Sequence, residues 1–126
     1  MMSTYAEKLN TTKTGYPFAK WRRSFFDYDF EQYTEENCDK AKSIFDTLID
    51  ELIAMGEQAP EKQKVASFQI AVETLNELNE EAGEDLIETG EREELCALTN
   101  DITLACGLNP KNYGDGEGLA SEWREW

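Results

Sequence analysis

The sequence predicts an all-α protein, an antiparallel bundle of three long helices with short helices at its N- and C-terminal ends. Three observations predict it. Apolar residues recur at helical spacing in three long stretches. Capping residues and glycines bracket those stretches. No segment alternates apolar and polar residues as a half-buried strand would.

Residues 1–14 are polar and read as a loose N-terminal arm; residues 15–126 read as a single helical domain. The domain opens on aromatic residues. Phe18, Trp21 and Phe25 share one face of a short helix after Pro17. The first long helix starts at Thr34, a good N-cap, with Glu35 and Glu36 suiting the helix dipole. Its stripe is Ala41, Phe45, Leu48, Leu52 and Met55, and Gly56 ends it. Pro60 stands at the expected first position of the second helix. The stripe there is Val65, Phe68, Val72, Leu75 and Leu78, with Gly83 as the stop.

The third long helix carries Leu95, Leu98, Ile102 and Ala105 and ends at Gly107. Its start is open between a position after Thr89–Gly90 and one reaching back to Leu86 and Ile87; a glycine inside costs about 1 kcal/mol relative to alanine. Pro110 and Gly114–Gly118 form a loop. Leu119, Trp123 and Trp126 then predict a short terminal helix that docks two indoles.

Chemistry is hard to build from this composition. Histidine is absent, which removes Ser–His and Cys–His nucleophile pairs. Cys38, Cys96 and Cys106 form neither a Cys-x-x-Cys nor an even disulfide framework, so they read as small buried hydrophobes in a reducing cytoplasm. No phosphate-binding loop is present, and Asp115 and Glu117 lack the twelve-residue pattern of an EF-hand. The expectation is a protein that is not an enzyme and needs no cofactor or metal. No apolar run is long enough to span a membrane, and nothing at the N-terminus resembles a signal peptide.

Charge is the informative feature. The net charge is −15, from 27 acids against 12 bases. The first 26 residues carry Lys8, Lys13, Lys20, Arg22 and Arg23 against Glu7 alone, so the remaining hundred are more acidic than the whole. Between residues 73 and 94 stand ten acids and one base. Glu77 and Glu81, and Glu80 and Glu84, are like charges at i, i+4, and Glu80 and Glu81 sit where a helix C-terminus disfavours acids. The bland reading is a solvated face, with Glu91, Glu93 and Glu94 favouring the start of the third helix. The functional reading is a surface for a basic protein, carried by Glu73, Glu77, Glu80, Glu81, Glu84, Asp85 and Glu88. Lys20, Arg22 and Arg23 beside Trp21 are too few for a nucleic-acid face and are expected to fold onto the acidic body, so direct nucleic-acid binding is not expected.

The order of Gly15–Tyr16–Pro17–Phe18, an aromatic–acidic stretch, a helix with Lys40 and Lys42, an acidic run, Gly107–Leu108 and a terminal Glu125–Trp126 resembles a family of short acidic helical bacterial proteins of unknown function. The likeness implies a helical fold and a bacterial source. The profile also resembles bacterial toxin-immunity proteins, which implies an inhibitor that masks a cationic partner. The alternatives are a nucleic-acid mimic using the same carboxylates, and a small-ligand or metal binder using Asp115, Glu117 or the acidic cluster. Exposed apolar stripes leave a homodimer open.

Overall fold

A computed structural model describes residues 4–28, 33–82 and 86–126, most of them helical, with no strand among them. Six α-helices follow one another: α1 (Tyr5–Thr11), α2 (Phe18–Tyr28), α3 (Glu35–Met55), α4 (Glu61–Glu81), α5 (Thr89–Ala105) and α6 (Ala120–Trp123). Short 3₁₀ turns lie at Thr12–Gly15, Pro110–Asn112 and Gly114–Gly116.

The helix ends follow local chemistry. Thr34 Oγ1 accepts from the Asn37 amide at 3.1 Å and opens α3. The Gly56 amide closes it on the Leu52 carbonyl. Pro60 stands one place earlier than expected, as the residue before α4, and its carbonyl accepts from Lys64 N. The expected stop at Gly83 falls outside the described residues. α5 starts at Thr89 with Gly90 inside its first turn. Leu86 and Ile87 precede it in a non-helical but buried stretch, held by the Ile87 amide donating to Asn79 Oδ1 at 2.9 Å. At its far end Gly107 has φ +91°, and the Gly107 and Leu108 amides bond back to Leu104 and Thr103. That double closure needs the left-handed backbone that glycine adopts without a Cβ penalty.

α3 and α4 lie side by side with Lys40 near Glu81 and Glu51 near Ser67, the register of an antiparallel hairpin. Phe45, Leu48, Ile49 and Leu52 from α3 and Phe68, Val72 and Leu75 from α4 are buried in one core with Leu95, Leu98 and Ile102 of α5. α5 makes its close backbone approaches to α1, the turn after it, and α6. The three long helices are therefore seen in outline, with α1 set against both α3 and α5.

The expected loose arm over residues 1–14 is described only from Thr4, and residues 4–14 are docked rather than loose. Leu9 is fully buried, the Tyr5 hydroxyl donates to the Leu52 carbonyl at 2.9 Å, and Thr4 caps α1 through the Glu7 amide. Seven residues with two large apolar side chains are too short to show a period, yet enough to fill a gap between two helices. The C-terminal helix is also shorter than expected. α6 ends at Trp123, Arg124 is extended, and Trp126 reaches the core outside the helix. Asn76 fixes this tail, donating to the Trp123 carbonyl and accepting from the Glu125 amide, each at 3.0 Å.

Candidate functional site

The acidic run from 73 to 94 does not form one surface. In its last part Glu91 and Glu94 are turned inward, while Glu93 stays exposed. Glu91 accepts from the Tyr33 hydroxyl, and Glu94 accepts from Trp21 Nε1 at 3.4 Å and from Lys20 Nζ at 3.3 Å. Trp21 and Tyr33 are buried with Phe18 and Phe45, their rings 5 to 6 Å apart, so these aromatics are core, whereas Phe26 is exposed. Arg22 donates to the Tyr33 carbonyl at 2.8 Å and lies over the Phe25 and Phe26 rings. The basic, aromatic N-terminal segment is thus folded onto the start of α5.

The other predicted site residues separate as well. Glu88 immediately precedes α5, exposed, its carbonyl accepting from the Arg92 amide. Glu80 borders a polar hollow with Asn76, Asn79, Arg92 and Trp126. Glu73 is exposed on α4 and accepts from Gln69 Nε2 at 2.9 Å. Glu84 and Asp85 lie outside the described residues. Glu77 and Glu81 remain, and these two line one hollow together.

That hollow is an open groove of about 980 Å³ on the outer side of the α3–α4 hairpin. Glu77 and Glu81 form its α4 wall; Glu35, Glu36 and Asp39 form its α3 wall; Ile44 and Leu78 are among its apolar lining residues. Lys40 is its one base, 3.2 Å from Glu36 and 4.0 Å from Glu81, so a single ammonium spans both walls. A smaller hollow of about 180 Å³ continues it along the hairpin. The two share Ser43, Ile44 and Thr74, and the second adds Glu51 and Ile70. Ile70 is 59 % exposed.

Sequence reading missed the α3 half of this groove. The helix dipole accounts for Glu35 and Glu36, and Asp39 and Glu51 belong to no acidic run as dense as 73–94. The available signal was positional: Glu36, Asp39 and Lys40 lie one turn apart, on the side of α3 that adjoins its own core stripe.

The thiols carry no reactive environment. Cys38 and Cys106 are buried, Cys96 is half-buried, and none is in a disulfide. Burial raises all three, Cys38 to about 11 against the pull of Arg22, whereas a reactive cysteine needs a lowered value. Asp115 and Glu117 are exposed, and Glu117 is 3.4 Å from Ser121 Oγ. Among the described residues no three Asp, Glu or Cys side chains converge on one point. No described helix is long and apolar enough to cross a membrane. The chain matches no known protein family, curated protein or solved structure.

Proposed function

We propose that this is an acidic binding protein of the immunity or inhibitor type, which masks a cationic partner protein with the outer face of its α3–α4 hairpin. The observation that carries this reading is the groove itself, an apolar lining between two carboxylate walls with a single base. Carboxylates on the two walls of one groove repel one another; Lys40 offsets only part of that charge, and a cationic partner would offset more. The net charge of −15 would steer a basic partner toward any face and speed its association. The apolar lining would then supply the contact area that charge alone does not. It also favours a protein partner over mimicry of DNA, which calls for rows of charge without an apolar centre. Three unpaired cysteines suit a reducing compartment such as a bacterial cytoplasm, in line with the resemblance to short acidic bacterial proteins.

The test is a paired capture from the source organism's nuclease-treated lysate. One bait is the wild-type protein; the other carries Glu36→Lys, Asp39→Lys, Glu77→Lys and Glu81→Lys, with its fold checked by circular dichroism. A basic protein held by the first, released by salt and absent from the second supports the reading. The same partner retained equally by both baits overturns it.

A further inference from the structure

Granted that the outer face of the α3–α4 hairpin is the binding face, we infer that its occupant is a cationic amphipathic α-helix of the partner, lying along the groove between the two helices. The shape argues for a helix. The two continuous hollows run from Thr34 to Glu51 on α3 and from Ser67 to Glu81 on α4. At 1.5 Å per residue that is a trough roughly 25 Å long, the length of about 16 helical residues. Both walls are uninterrupted helices of 21 residues. A helix seated there presents one apolar stripe downward and polar residues to either side.

The chemistry argues for the pattern on that helix. Between the walls, half-buried Ile44 and exposed Ile70 offer an aliphatic strip, with buried Leu78 beneath it. Above it, six carboxylates on the two walls face one ammonium, that of Lys40. Leucine-like residues at i, i+3, i+4 and i+7 flanked by lysine or arginine complement both features. The same charges oppose the obvious rival. A second copy docked through this face would set its own six carboxylates against these, so a homodimer through the groove is disfavoured. Three of the chain's own basic residues are engaged elsewhere: Lys13 near Asp46, Lys20 on Glu94 and Arg22 on the Tyr33 carbonyl.

The experiment uses the full chain and two synthetic 16-residue peptides of identical lysine–leucine composition, one with leucines at helical spacing and one scrambled. Fluorescence anisotropy gives affinities at low and moderate salt, and amide chemical shifts locate the peptide. The amphipathic peptide is expected to bind at least about tenfold more tightly than the scrambled one and to shift amides around Ile44, Ile70 and Thr74. Ile70→Ser, at an exposed position, should weaken it by about fivefold. Lys40→Gln, which removes the only base of the groove, should tighten it by about threefold. Equal affinity for the two peptides, or shifts confined to another face, overturns the helix inference. If both peptides bind equally and both are lost on Glu77→Lys with Glu81→Lys, the charge-driven reading survives without the helix. If neither binds up to millimolar concentration, both readings fail.

Discussion

Lys64 Nζ lies 2.8 Å from the carbonyl oxygen of Cys106, 42 residues away in sequence. The same ammonium donates to the Glu57 carbonyl at 2.8 Å and sits over the Tyr5 ring at 5.3 Å. A lysine that is only 5 % exposed is therefore satisfied without any carboxylate. Its partners are carbonyls just past the ends of α3 and α5, where the helix dipoles are negative, so one cation ties α1, α3, α4 and α5 together. Lys64→Met keeps the aliphatic stem and removes the ammonium, leaving two carbonyls without this donor. We expect a loss of about 2 kcal/mol in urea unfolding. A loss below about 0.5 kcal/mol would show that the buried charge and its carbonyls are already near balance.

Two glycines predict opposite outcomes for the same substitution. Gly90 lies in the first turn of α5 with nothing within 4 Å of an added Cβ. Gly90→Ala should stabilise the protein by about 0.5–1 kcal/mol. Gly118 has φ +121°, and a Cβ there would collide with the Asn100 side-chain amide. Gly118→Ala should destabilise by about 1–2 kcal/mol and disturb the Asn100 contact with the Glu117 carbonyl. Thermal melts of both variants against wild type decide the signs.

Alkali should unfold the protein progressively above pH 9. Burial raises Cys38 to about 11 and Tyr5 to about 12, and raises Cys96, Cys106 and Tyr16 as well, Tyr16 also through its hydrogen bond to Asp46. The folded state holds these protons where the unfolded state releases them. Stability is thus intact below the ordinary thiol value and falls as pH rises from about 9 through 12. A melting temperature that stays level from pH 8 to pH 11 would contradict this. The same burial predicts that a thiol reagent at pH 8 modifies native Cys38 and Cys106 only at the rate of unfolding.

The groove carboxylates should matter little to the fold. Lys40 and its partners are exposed, and exposed pairs contribute a few tenths of a kcal/mol. Glu77→Gln combined with Glu81→Gln should shift stability by less than about 0.5 kcal/mol, with relief of the i, i+4 repulsion offsetting the weak Lys40 contact. Added sodium chloride should raise the melting temperature of wild type, because screening lowers self-repulsion at a net charge of −15, and should raise that of the double variant less. A large destabilisation of the variant would make these acids structural.

Much of this architecture is local, and local features are legible in one dimension. The α3 boundaries at Thr34 and Gly56, the stop at Gly107 and the core stripes of the three long helices all follow from residues within a turn of each other. The charge excess and the absence of histidine are properties of composition, and no fold changes them.

Which acids share a surface was decided only by the packing of helices distant in sequence. The run from 73 to 94 is dense along the chain, but the turn before α5 points its later members at Lys20, Trp21 and Tyr33, while Glu77 and Glu81 face Glu36 and Asp39 across the hairpin. The docking of Tyr5 and Leu9, the carbonyl cage around Lys64 and the return of Trp126 to the core are of the same kind. Each depends on a cavity or an orphan carbonyl made by elements tens of residues away. Periodicity and capping report what a segment does with its own neighbours; they hold no record of the space that other segments leave for it.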